Sequence, residues 1–162
     1  MHYNNSMPQP QIHITAATPG DADAIAELLR PYAERQIVLP RTAEDIRQFI
    51  ANFLIAKQDD GQLLGSVALR DFGDGLQEIR SLAVRPDACG NGLGSRLVNE
   101  AVAFARRRQA TTVFALTLRP TLFHRLGFDI VPRDNFPRKV WLDCRKCPKF
   151  TACDEIAVAY TL

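Results

Sequence analysis

Between residues 84 and 97 the chain reads VRPDACGNGLGSRL. Gly90, Gly92 and Gly94 fall at alternate positions between an apolar run and a run with helical spacing. Glycines reach backbone conformations closed to other residues, and they let another molecule approach bare peptide groups. A helix start adds unpaired N–H groups and partial positive charge. A strand, a glycine loop and a helix in that order predict a site for an anion, phosphate above all. The spacing excludes two common forms of such a site. No Lys-Ser/Thr pair follows, as a P-loop requires, and G-x-G-x-G is not the dinucleotide-binding turn. A tight turn with no ligand is the alternative reading of the loop taken alone.

The flanking elements give the loop its setting. IHITAA (12–17) alternates as a strand. Thr18 and Pro19 then mark a helix start, and Ile25, Leu28, Leu29 and Tyr32 share one helical face. Pro31 should end or kink that helix. Thr42 and Asp45 form a capping pair before a second helix, AEDIRQFIANF. FLIAKQ and QLLGSVALRDF flank Asp59-Asp60-Gly61, a hairpin signal. Strict alternation in LQEIRSLAVR puts Leu76, Glu78, Arg80, Leu82 and Val84 on one strand face. A helix from Leu93 to Arg108, the strand TTVFALTL, a short helix PTLFHRLG closed by Gly127, and the strands FDIV and DEIAVAYTL complete the chain. The order β-α-α-β-β-β-α-β-α-β-β predicts an α/β (α+β) fold: a mixed central sheet of about six to seven strands flanked by helices. An exposed edge near the last strands is a candidate for pairing in a homodimer.

The 162 residues suggest one domain, 11–162, behind a disordered leader, 1–10, and with a cysteine-bearing segment at 136–155. A net charge of +2 gives no support to a nucleic-acid partner. No run nears the roughly 20 apolar residues of a membrane span. The start has no apolar core of a signal peptide, so the expected location is the cytoplasm. Cysteines there serve more often as thiols or metal ligands than in disulfides. DCRKCPKFTAC places Cys144, Cys147 and Cys153 at a spacing that suits zinc or an iron–sulfur cluster. Three thiols without a metal are the alternative.

The stretch EIRSLAVRPDACGNGLGSRLVNEAVAFA resembles the acetyl-CoA-binding motif of the GNAT N-acetyltransferase superfamily. That resemblance implies the GNAT fold, with acetyl-CoA as cosubstrate. The superfamily loop, Gln/Arg-x-x-Gly-x-Gly/Ala, corresponds here to Cys89-Gly90-Asn91-Gly92-Leu93-Gly94 and would grip the pyrophosphate. Cys89 stands where Gln or Arg is usual. TLFHRLGF resembles the second coenzyme-A motif, which adds Phe123 and Arg125 as cofactor-binding positions. Phe123 replaces the tyrosine that often protonates the leaving thiolate.

From about residue 12 to 132 the chain also resembles the transferase domain of bacterial N-acetylglutamate synthases, and its tail resembles short stand-alone members. The resemblance implies acetyl transfer to the amine of an amino acid, L-glutamate first, in arginine biosynthesis; another small amine, or a non-catalytic module binding coenzyme A or a metal, is the alternative. Such chemistry needs a base for the ammonium group, and Glu78 matches the synthases' base. Leu82, Ala83 and Val84 match the strand whose backbone holds the pantetheine and the thioester oxygen. Thr117 matches a hydroxyl that can serve the leaving thiolate. Arg41 matches a substrate-binding arginine, suited to carboxylates by its planar fork. Arg80, on the face of Glu78, is either a second substrate contact or a charge partner of that carboxylate.

Overall fold

The computed structural model describes residues 11–136 and 155–162. The leader 1–10, and Cys144, Cys147 and Cys153 in the tail, lie outside the described residues. The elements follow the predicted order: β1 (Ile12–Ala16), α1 (Ala22–Glu34), α2 (Ala43–Gln48), β2 (Phe53–Gln58), β3 (Leu63–Asp71), β4 (Leu76–Val84), α3 (Leu93–Arg107), β5 (Thr112–Thr117), α4 (Pro120–Arg125), β6 (Asp129–Ile130) and β7 (Ile156–Thr161). The strands form one seven-stranded sheet, ordered β1-β2-β3-β4-β5-β7-β6. Neighbours are antiparallel except β4 and β5, which are parallel and joined through α3.

The two faces of the sheet carry two cores. On one, α3 buries Leu97, Val98, Ala101 and Ala105 completely against Val67, Leu69 and Ile79. A fully buried leucine such as Leu97 stabilises the fold by about 1.5–3 kcal/mol. On the other face, Ile25 and Leu29 of α1 meet Ile46 of α2 and Phe53, Ile55 and Ala68 of the sheet. Both helices therefore pack by the apolar spacing visible in their sequences.

Three expectations change. Helix α1 runs through Pro31 to Glu34. The ring removes one hydrogen bond near the helix end, and the buried Ile25–Leu29 face holds the segment in place. Helix α2 stops at Gln48, and a 3-10 turn over Ile50–Asn52 leads into β2. The third change lies in β4. Ser66 pairs with Ala83 and Ala68 with Arg80, so β4 uses one residue more than β3 between the two pairs. This bulge holds Ser81 at φ 52°, and Ser66 Oγ donates to the Ser81 carbonyl at 2.9 Å inside the sheet. As a result Ile79, Leu82 and Val84 all pack toward α3, where strict alternation would have separated Ile79 from the other two.

The bulged strand soon parts from β5. Only Leu76–Thr112, Gln77–Val113 and Glu78–Phe114 are paired. Beyond Glu78, β4 stays with β3 while β5 stays with β7. The sheet opens there as a fork.

At the entry to α1 a buried carboxylate pairs with a half-buried lysine. Asp21 is 8 % exposed; its Oδ2 accepts from Thr18 N and Oγ1, and its Oδ1 lies 2.7 Å from Lys57 Nζ. Burial alone raises the Asp21 carboxyl, but Lys57 and the two Thr18 bonds outweigh it and hold it below its ordinary 3.8. A depressed carboxyl contributes stability above the unfolded value and loses it as pH falls through the folded one. Asp21→Asn should cost about 1 kcal/mol at pH 7 in urea unfolding. The gap to wild type should narrow as pH falls below the ordinary carboxylate range and through the lowered folded value.

Candidate functional site

The fork between β4 and β5 is the floor of a cleft of ≈ 290 Å³. Its walls come from β4 on one side and the end of β5 with α4 on the other. The end of α1 and the segment 36–41 cover it, and Gly94 lies at one end. The arrangement follows from hydrogen bonding: strands that no longer pair leave peptide groups facing the gap. Arg85 N bonds Leu64 O on the β3 side at 2.8 Å. Strand alternation then turns the N–H and C=O of Val84, and of Leu82 before it, toward the cleft. An edge of this kind needs partners from side chains, water or ligand.

Glu78 lies at the point of the fork and is 2 % exposed. Its Oε1 receives Arg80 Nη2 at 2.6 Å and Nε at 2.8 Å. The sequence left Arg80 between substrate contact and charge partner; in the structure its guanidinium pairs with Glu78 while the residue also lines the cleft. The carboxylate is buried, whereas its strand position alone allowed a surface residue.

Arg41 faces the same cleft from the segment before α2. Its Nε donates to Asp45 Oδ2 at 2.7 Å, and its guanidinium lies 5.0 Å from the Phe53 ring centroid. Asp45 is fixed in turn by the Thr42 cap, whose Oγ1 accepts from Asp45 N at 3.0 Å. The capping pair read from the sequence thus also aims an arginine. With its side chain only 13 % exposed, Arg41 is pre-placed, and only Nε is engaged among the described residues. The terminal fork remains for a planar anion.

Thr117 ends β5 on the opposite wall. Its Oγ1 accepts from Arg119 N at 2.8 Å, which leaves its own O–H to donate. Phe123 is 3 % exposed, lines the cleft, and stacks edge-on against Phe128 at 5.2 Å. It gives shape and no proton. Arg125, also expected here, is exposed on α4 and is not among the residues lining the cleft.

The glycine loop continues the line of β4. Gly90 and Gly92 have φ of 89° and 76°, so the backbone itself calls for glycine at both. A Cβ at Gly90, Gly92 or Gly94 would meet nothing within 4 Å. Gly94 therefore has neither a conformational nor a packing reason to be glycine in the protein alone. The space above it is open, at the start of a helix of 15 residues. Leu93, expected in the cradle, sends its side chain into the core at 2 % exposure, so only its backbone can serve. Asn91 and Cys89 are exposed, with Cys89 Sγ 3.3 Å from Arg85 O.

Sequence reasoning missed Tyr32. Its helical spacing reads as a core position, and its ring does pack beside the α1–α2 core. Its hydroxyl reaches across to donate to the Val84 carbonyl on the cleft edge. No local signal could have shown this, because the two residues are 52 positions apart. Among the described residues no cluster of His, Cys, Asp and Glu could hold a metal ion, and no helix is long and apolar enough to cross a membrane.

Comparison with known proteins agrees with this geometry. The model of the acetyltransferase (GNAT) family matches residues 22–128. An uncharacterized N-acetyltransferase of Chlorobaculum tepidum is 38% identical over 156 residues, covering 96% of this chain and 100% of that protein. The amino-acid acetyltransferase of Neisseria meningitidis is 35% identical over 128 residues, 78% of this chain. The match spans only 29% of that relative's length. Among solved structures, N-acetylglutamate synthase from Neisseria gonorrhoeae, complexed with coenzyme A and N-acetyl-glutamate, superposes with a TM-score of 0.83 at 31% identity, over 95% of this chain and 36% of that one. A Mycobacterium tuberculosis protein in complex with CoA gives a TM-score of 0.78 at 25% identity, over 93% of this chain and 99% of the other.

Proposed function

The chain belongs to the acetyltransferase (GNAT) family and is an N-acetyltransferase, and we propose that it acetylates the α-amine of an amino acid, L-glutamate first, for arginine biosynthesis. One observation carries the reading: a buried carboxylate at the fork, Glu78, shares a cleft with Arg41, whose guanidinium is already fixed. The similarity to the Neisseria synthase supports glutamate as the acceptor.

The residues present fit acetyl-CoA. Gly90, Gly92 and Gly94 leave open space at a helix N-terminus for the pyrophosphate, with Cys89, Asn91 and the Leu93 backbone completing the loop. The free edge of β4 from Leu82 to Val84 offers peptide groups to the pantetheine arm, and buried Phe123 gives it an apolar wall. Bound acetyl-CoA would supply the acetyl thioester. The chain's own residues do the rest. Glu78 takes a proton from the acceptor's ammonium group, directly or through a water. The Leu82 N–H donates to the thioester oxygen as it gains charge. The Thr117 O–H donates to the departing sulfur. Arg41 holds a carboxylate of the acceptor, and Arg80 keeps the Glu78 carboxylate in place. The amine would attack the acetyl carbon directly, the C–S bond would break as the C–N bond forms, and coenzyme A would leave as the thiol with the amine's second proton, so no residue carries the acetyl group.

A second reading rests on the mouth of the cleft. Ile37 and Leu118 are 38% and 40% exposed there. Such an apolar rim suits an amine with an apolar body. Thiol release from acetyl-CoA with a panel of amino acids and amines separates the two readings. Activity confined to L-glutamate supports the first, and preference for apolar amines supports the second.

Three variants test the parts. Glu78→Gln should lower kcat by on the order of 100-fold. An unchanged rate would remove Glu78 from the mechanism. Arg41→Ala should raise KM for glutamate by at least about tenfold, the loss of a charge-assisted pair, with KM for acetyl-CoA little changed. Gly94→Glu should leave the thermal midpoint near wild type, since its side chain enters open space, while coenzyme A binding measured by calorimetry is lost through charge repulsion.

A further inference from the structure

We propose that Tyr32 is a positioning residue for the cosubstrate, acting through the Val84 peptide; the proposal rests on the acetyl-CoA reading above. Val84 is the last residue of β4, between the bulge at Ser81 and the glycine loop. It lies where the free strand edge meets the anion cradle, so any ligand spanning cradle and fork must pass it. Its carbonyl faces the cleft and takes the Tyr32 hydroxyl. Cys89 Sγ lies 3.8 Å from the same oxygen, a contact too long and too weak to hold a peptide alone.

The Tyr32 bond therefore does two things. It satisfies an acceptor that the missing β5 pairing leaves open. It also holds the carbonyl side of the Val84–Arg85 peptide, whose N–H side is already bonded to Leu64 O at 2.8 Å, so this peptide is held at both ends. Holding this peptide limits rotation about the Val84 Cα, which links it to the preceding peptide, whose Val84 N–H lies on the same open edge and can meet an amide carbonyl of the pantetheine arm. The phenol suits this task. Burial pushes it up, the nearby Cys89 pushes it further, and Arg119 and Arg35 only partly offset both. It stays protonated, and so a donor, through the neutral range. Tyr32 lines the cleft along with Cys89, Gly94 and Arg119, so its ring also forms part of the channel wall.

Removing one oxygen tests the idea. Tyr32→Phe keeps the ring in the α1–α2 core and deletes only the donor. The expected result is an acetyl-CoA KM and a coenzyme A Kd about three- to tenfold higher, the range of one net hydrogen bond. At saturating acetyl-CoA, kcat and the acceptor KM should stay within about twofold. The ligand-free thermal midpoint should be close to wild type, while the rise produced by added coenzyme A shrinks. Equal coenzyme A affinity in the two proteins would overturn the proposal and leave the cosubstrate reading intact. Parallel losses in kcat, acceptor KM and ligand-free midpoint would also overturn it, because they mark a structural hydroxyl. Failure of the wild-type protein itself to bind coenzyme A would remove the cosubstrate reading, and this proposal with it.

Discussion

The loss of pairing between β4 and β5 is the constraint on which the site depends. Two parallel strands share three residue pairs and then follow different partners. β4 is held to β3 by an antiparallel ladder along its length, and β5 is held to β7 in the same way. Each strand keeps the ladder with its outer neighbour, and past Glu78 the two edges that face each other stay unpaired. The result is an interior strand that presents an edge inside the protein. Open peptide groups are costly in a dry interior and useful in a binding site. The fold turns that cost into a place for a ligand.

The bulge at Ser81 sharpens this arrangement. An extra residue increases local twist and changes which side chains meet the α3 core. Glu78 and Arg80, before the bulge, pair with one another, while Leu82 and Val84, after it, turn their side chains to the core and their peptides to the cleft. One strand thus carries an ionic pair at one end and a peptide edge at the other. The glycine loop then extends the line into a helix start. The Glu78–Arg80 pair, the open peptide edge and the glycine loop lie in sequence order because they lie in order along one strand and its extension.

Charge in the cleft is distributed rather than pooled. Arg80 is taken by Glu78, and Arg41 is steadied through Nε by Asp45 and by the Phe53 ring. A guanidinium held on one edge and on its face keeps its terminal fork for another carboxylate. The same capping interaction that starts α2 fixes the partner of Arg41, so the start of the helix and the placing of a cleft arginine share residues.

Much of this was legible in the sequence. Element order, the glycine loop and the Thr42–Asp45 cap depend on local spacing and turn chemistry, which a single chain displays directly, whereas Glu78 and Arg41 stand out only through the resemblance to the synthases. The resemblance to the acetyltransferase family follows from the same stretches. Other features needed the tertiary structure. The bulge is a mismatch between two strands, so reading β4 alone gave strict alternation. The end of α1 beyond Pro31 is held by core packing that outweighs one lost hydrogen bond. Arg80 became the partner of Glu78, and Arg125 fell outside the cleft, once side-chain directions were set. Tyr32 reads as one more apolar position on a helix, and only folding carries its hydroxyl to a carbonyl 52 residues away. Periodicity determines which faces are buried. The third dimension decides which polar atom at the rim of a buried face meets which open peptide group.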